Sequence, residues 1–227
     1  MEKGGRRQGR CPKRRVRLTS IGMDLDKIEF NAAQAHADLG SFKAWIAARP
    51  QFPETEVVKE IAARRQMACL LGYTILMPAP DLIKFEFGVK GLFRAALVVG
   101  NDRSRKFVLV EFEDGKEDSL FRGGTKKYRY WSSRLEHGFG QVLDWGWAKH
   151  THPGDAGFKN SFGGKVLDDC YVVVCGRDPK PGSLEEERFD FRRTRLSLSG
   201  VPLQLYTYDG LIDAMEDNLA PLLARLP

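Results

Sequence analysis

Long apolar runs are missing from this 227-residue chain. The longest, such as Ala95–Val99 and Val172–Cys175, fall far short of the roughly 18–20 residues that a membrane-spanning helix needs. The first 22 residues are basic and polar and contain no signal-peptide core. A soluble, cytoplasmic protein with no membrane partner is expected. Cysteine is scarce, with four in all, which excludes a disulfide-built scaffold. Three enzyme signatures are also absent: a P-loop, a Rossmann glycine fingerprint and a serine nucleophile elbow. Phe162-Gly163-Gly164-Lys165 has glycine and lysine but not the P-loop spacing. His150 and His152, with Asp155 nearby, have no fourth ligand at zinc spacing. Cys170 and Cys175 lie on or beside an apolar segment and read as packing residues.

Basic charge is present but poorly distributed. The formal net charge is +6, which invites a nucleic-acid reading. Residues 1–22 alone carry a net +7, so the remainder sums to −1. The leader is Gly- and Arg-rich with almost nothing to bury, and disorder is expected there. It is either a polybasic arm that tracks phosphates or a dispensable extension ahead of Met23-Asp24-Leu25. Bulk charge on the rest of the chain does not argue for DNA.

Beyond the leader the chain is patterned. Asp24–Pro50 reads as a helix with a frayed start. A second helix runs from Pro53, with Val57, Ile61, Ala68 and Leu71 at helical spacing and Gly72 as its stop. The period then shortens. Leu82–Phe87, Leu92–Val99 and Phe107–Glu113 read as an antiparallel three-strand meander, turning at Gly88–Gly91 and at Asn101–Ser104. A polar loop, a helix over Ser132–His150, a buried strand at Asp169–Cys175, a charged helix at Leu184–Leu196, a strand at Leu203–Thr207 and a terminal helix over Leu211–Leu226 complete the order. One α/β domain with a mixed sheet is predicted over residues 23–227. The apolar stripe of the last helix can pack inside or across an interface.

The chemistry concentrates at the end of the third strand. In Val108-Leu109-Val110-Glu111-Phe112-Glu113-Asp114, alternation puts Leu109, Glu111 and Glu113 on one face. Two carboxylates beside an apolar strand repel unless a cation or solvent takes the charge. Oxygen ligands at this spacing suit Mg²⁺ or Mn²⁺, although a strand end emerging into water reads the same way.

This segment, followed by His137-Gly138-Phe139-Gly140-Gln141-Val142-Leu143-Asp144-Trp145, then Tyr171–Arg177 and Leu205–Leu211, resembles the PD-(D/E)xK nuclease core. More closely, it resembles the Shedu anti-phage nuclease domain family, over about residues 50–215. The resemblance implies a restriction-endonuclease-like α/β core with a mixed sheet flanked by helices. It also implies divalent-metal-dependent hydrolysis of DNA, expected to be double-stranded, by a homo-oligomer (dimer or tetramer) in antiviral defence. Glu111 matches the metal-binding Glu of that family, and Glu113 stands where a Lys is usual. The Pro80-Asp81 pair falls one strand too early to be the family's Asp. Position 96 lies opposite roughly position 110, and Phe93–Gly100 puts Ala96 where the family has Asp. The chain therefore reads as a knocked-out or naturally degenerate site. Gln141 matches the helix Gln that reaches such sites, and Glu54 is a candidate extra acid that also suits a helix start. His137 receives no catalytic role. Arg122, Lys126, Lys127 and Arg129, interleaved with Tyr128, Tyr130 and Trp131, are the candidate nucleic-acid contacts. Two other readings stay open: a non-catalytic sensing or oligomerisation module on the same fold, and an unrelated α/β domain that binds a small ligand in an apolar pocket.

Overall fold

The computed structural model describes residues 24–76, 78–125, 127–151, 155, 160–164 and 168–224. The chain order is β1 (Asp26–Lys27), α1 (Ala32–Ala47), α2 (Glu54–Ala62), α3 (Arg65–Leu76), β2 (Leu82–Val89), β3 (Phe93–Asn101) and β4 (Lys106–Phe112). It continues with β5 (Phe121–Arg122), β6 (Tyr130–Trp131), α4 (Ser133–Thr151), β7 (Asp168–Val174), α5 (Leu184–Arg193), β8 (Ser197–Leu198), β9 (Val201–Tyr206) and α6 (Tyr208–Leu223). Seven strands form one mixed sheet in the order β1-β2-β3-β4-β7-β9-β8, and β5 and β6 form a separate hairpin. The meander from β2 to β4 is antiparallel, and β4, β7 and β9 run parallel. β7 is central and buried on both faces, which is why Tyr171–Val174 carries no polar alternation.

Two apolar layers sandwich the sheet. On one side α1, α2, α3 and α6 cover Val108, Val110, Phe112, Val172 and Val174. On the other, α4 and α5 cover Leu109, Tyr171, Val173, Leu203 and Leu205. The stripe of α6 (Leu211, Ile212, Met215, Leu219) is buried in the first layer, so it is spent within the fold. No helix among the described residues is long and apolar enough to cross a membrane.

The β2–β3 hairpin changes faces midway. Phe85, Leu97 and Val99 pack in the first layer, whereas Phe87, Ala95 and Phe93 pack in the second. The crossover falls at Glu86 and Ala96, where the ladder steps from Phe85↔Leu97 to Phe87↔Ala95. Glu86 takes a positive φ of 52° there, a conformation that non-glycine residues seldom adopt.

Three expectations about the helices need correction. The first helix starts at Ala32, not Asp24, because Asn31 caps it through a 3.0 Å bond from the Gln34 N–H to Oδ1. The preceding residues pair with β2 instead. The second helix is two: α2 ends at Ala62, and α3 begins under a tertiary cap, with Asp38 of α1 accepting from the Gln66 N–H at 3.1 Å. Gly72 is not a stop but lies inside α3, where a Cβ would come within 2.7 Å of Val99 Cγ1. Its lack of a side chain lets the helix lie on β3.

Candidate active site

Glu111 is the penultimate residue of β4, and Glu113 follows the strand's end. The ladder persists past that end, with the Glu113 N–H donating to Val174 O at 2.8 Å. α4 passes over both carboxylates. It starts after Ser132, whose Oγ accepts from the Leu135 N–H at 3.0 Å. It can come this close because residue 138 is glycine: a Cβ there would lie 3.0 Å from Val173 Cγ1 and 3.3 Å from Glu113 Cγ. Arg134, His137 and Gln141, spaced three and four apart, therefore face the strand end.

Gln141 Nε2 donates to Glu111 Oε1 at 3.0 Å. His137 Nδ1 lies 2.7 Å from Glu113 Oε1. An ionised carboxylate only accepts, so Nδ1 is the donor to that form. Each glutamate keeps its other oxygen, Oε2, buried and without a hydrogen-bond partner among the described residues. Glu113 is fully buried and Glu111 nearly so. Tyr208 donates its hydroxyl to the Glu113 backbone carbonyl from beneath.

Arg134 is the cation nearest the pair. Its guanidinium lies 3.9 Å from Glu113 Oε2, 3.8 Å from Glu54 Oε2 and 3.8 Å from Asp114 Oδ2. Glu54 arrives here because Phe52 bridges Gly115 through paired backbone bonds of 3.3 and 3.0 Å, fixing the start of α2 beside the strand end. Asp114 is buried, accepts from Ser119 Oγ and pairs with Lys116 at 2.8 Å. In front of these groups lies a cavity of about 520 Å³. Lys116, Arg122, Arg134, His137 and the α4 N-terminal residues Ser132 and Ser133 line it, with Asp114 and Asp118.

Burial dominates the electrostatics. It raises the Glu111 carboxyl to about 8, reinforced by the charges of Glu113 and Glu54 and opposed by the Ala96 backbone N–H and the Gln141 amide. Burial also raises Glu113, against the His137 bond. Two carboxyls held above their ordinary range, each with an oxygen that lacks a hydrogen bond among the described residues, make a site that favours a positive charge, and Arg134 approaches that of Glu113 at 3.9 Å.

β3 and β4 pair as Leu97↔Val110. That register ends at Leu97, one residue before the crossover; the Ala96 backbone N–H lies beside the Glu111 carboxyl, whereas the Ala96 methyl packs in the first apolar layer. Asp81 lies at the far end of the strands, where it accepts from the Asp102 N–H at 2.7 Å. Among the loop cations, Arg122 lines the cavity, and Lys127 is exposed. Arg129 turns inward to donate to Phe121 O. Lys126, the leader and His152 lie outside the described residues. Cys170 and Cys175 are buried free thiols. Arg134, Lys116 and Asp114 carry no signal in the sequence pattern that marks them as site residues. His137 had the legible signal, one turn before Gln141 on the same helix side.

The oxygen donors and the two unpartnered Oε2 atoms suit a hard divalent cation. Yet among the described residues no group of three or more His, Cys, Asp or Glu is disposed to hold a metal. A family model described as Shedu protein SduA, C-terminal, matches residues 54–212. The chain belongs to the Shedu family. That membership supports an anti-phage defence role. The match opens at Glu54 and closes at Ile212, so the Shedu region contains both carboxylates, Arg134, His137, Gln141 and Ala96. No curated protein matches the chain.

Proposed function

We propose that the Glu111–Glu113 centre is a DNA-hydrolysing site of the divalent-metal type, crippled by Ala96 in place of an acidic ligand. One observation carries this reading: two buried carboxylates, each with an unpartnered oxygen, lie behind a cavity lined by Lys116, Arg122 and Arg134. Glu111 and Glu113 would hold Mg²⁺ or Mn²⁺ through Oε2. A cation so held polarises the phosphate and lowers the pKa of an attacking water. The chain's own residues do the rest. Gln141 and His137 fix the Oε1 atoms, so the free oxygens keep one direction. Arg134, Lys116 and Arg122, with the α4 N-terminus, receive the phosphodiester charge. Arg134 brings to the site the positive charge that Glu113, in the place of the usual Lys, does not supply. Double-stranded DNA is the proposed substrate, and a homo-oligomer the proposed working form.

The alternative, a non-catalytic sensing or oligomerisation module, is favoured by the missing third ligand. One experiment separates them. Ala96→Asp is expected to gain Mn²⁺ affinity by calorimetry and to nick plasmid DNA with Mg²⁺ or Mn²⁺. Because residue 96 is only 8% exposed, the variant is also expected to melt lower than the parent in EDTA and to recover with Mn²⁺. Absence of all three effects overturns the nuclease reading.

A further inference from the structure

Helix α5 is held to the β5–β6 hairpin through arginines stacked on rings. The Arg188 guanidinium lies 5.0 Å from the ring centres of Phe121 and Trp131 and 5.9 Å from Tyr128. Arg192 lies 4.7 Å from Trp131 and 4.3 Å from Phe139. Trp131 is itself stacked on Phe121, with ring centres 4.3 Å apart. Around this stack, large apolar groups face solvent: Phe191 is 64% exposed, Tyr130 51%, Leu184 46% and Tyr128 44%. Arg195 lies 4.9 Å from the Phe191 ring. A groove of about 520 Å³ runs between them, lined by Trp131, Leu184, Arg188, Phe191, Arg192 and Arg195 among others. Among the described residues, Glu187 is the one acid in its lining.

The occupant must satisfy both the rings and the cations; Arg192 already pairs with Glu136 at 2.7 Å and Arg188 donates to Arg129 O at 2.6 Å, so Arg195 and the remaining N–H groups of these two face the groove's occupant. An aliphatic protein surface would strip water from the guanidinium groups without replacing their hydrogen bonds. Duplex DNA would meet the cations but keeps its base faces stacked inside. An unpaired strand offers phosphates to the arginines and flat base faces to the rings. The β5–β6 hairpin contributes residues both to the groove and to the candidate active site. Arg122, which lines the cavity beside Glu113, pairs across the hairpin with Tyr130, and Phe121 pairs with Trp131, which lines the groove.

We infer that the α5 groove and the exposed hairpin tyrosines bind an unpaired DNA strand and carry it away from the carboxylate centre. This deepens the nuclease reading and rests on it for the identity of the nucleic acid. The test uses the full chain in EDTA, a labelled oligothymidine of about 15 nucleotides and a duplex of equal length, followed by anisotropy. Phe191→Ala and Tyr130→Ala are each expected to weaken single-strand binding about fivefold or more, the low end of what stacking a base on an aromatic contributes. Both should leave duplex binding within about twofold. Arg195→Glu should flatten the salt dependence of strand binding by about 0.7 in log–log slope or more. Tryptophan fluorescence should be quenched by the oligothymidine, and less so in Trp131→Phe. The leader's charge is constant across these variants, and unchanged melting temperatures exclude unfolding. Equal loss for both DNA forms, or loss for neither, overturns the inference. So does a shift from oligomer to monomer in Phe191→Ala, which would give the groove to a second copy of the chain. The two readings fail separately: an Ala96→Asp protein with no Mn²⁺ affinity, no nicking and no melting change in EDTA or Mn²⁺ sinks the nuclease reading, whereas strand binding indifferent to residues 130 and 191 sinks this one.

Discussion

Replacing Glu111 by Gln should make the metal-free protein more stable at neutral and alkaline pH, although Glu111 stands at the centre of the site. The folded state holds its Glu111 proton to about 8, against 4.5 for the unperturbed group. A carboxyl raised in this way contributes stability that is complete below the unfolded value and is lost as pH rises through the folded one. Each pH unit in that window costs about 1.4 kcal/mol, so about 3 kcal/mol has gone by pH 7. Glutamine keeps the shape, still accepts from Gln141 and never ionises. At pH 4 to 4.5 the two proteins should melt within about 1 kcal/mol of each other, since each then leaves one neutral polar atom unpartnered. By pH 7 the variant should melt higher by about 6–12 °C, taking roughly 2–4 °C per kcal/mol for a chain of this size. Thermal melts in EDTA at half-unit steps from pH 4 to 8.5 measure the divergence. Parallel curves, or a parent that gains on the variant as pH rises, would refute the reasoning. Mn²⁺ supplies the complementary arm. It competes with protons for the ligands, so it should raise the parent's melting temperature more at pH 8 than at pH 6 and affect the variant least.

Glycine positions test the packing separately from the site. Gly40 lies inside α1 with open space where a methyl would stand, so Gly40→Ala should stabilise by about 0.5–1 kcal/mol in denaturant melts. Gly72→Ala in α3 drives its Cβ to 2.7 Å from Val99 Cγ1. Overpacking of about 1–3 kcal/mol should outweigh the helix-propensity gain, leaving a lower midpoint. Deleting residues 1–22 removes a net +7 and should weaken DNA binding and flatten its salt dependence. It should leave cleavage by an Ala96→Asp protein intact, and loss of cleavage would make the leader part of the working site.

The legible parts of the fold were those governed by short-range pattern. The β2–β4 meander, the all-apolar β7 and the run of α4 follow from periodicity and turn chemistry, and alternation alone placed Glu111 and Glu113 on one face. The misreadings share a cause, because each depended on a residue distant in sequence. The α2–α3 break needs Asp38 to cap from another helix. Gly72 is explained by Val99, not by its own neighbours. Arg134 reads as an ordinary surface cation until Phe52 and Gly115 bring Glu54 to it.

The alanine at position 96 also bears on how the protein stands without a metal. Glu111, Glu113, Glu54 and Asp114 converge on one region, and Arg134 and Lys116 are the cations nearest them. Burial first, and then the charges of Glu113 and Glu54, push the Glu111 carboxyl up to about 8. Burial of Oε2 without a hydrogen-bond partner favours the protonated carboxyl, against the Gln141 amide and the Ala96 N–H. A further aspartate at 96, a position only 8% exposed and beside the Glu111 carboxyl through its backbone N–H, would add a charge to this acidic region. A complete ligand set is therefore unstable in proportion to how well it would hold a divalent ion, since the repulsion that a cation relieves is the repulsion the empty site must bear. On the proposed reading, alanine in place of an acid at 96 lowers that repulsion and the metal affinity together, while Gln141, His137 and Arg134 stay in place around the two glutamates.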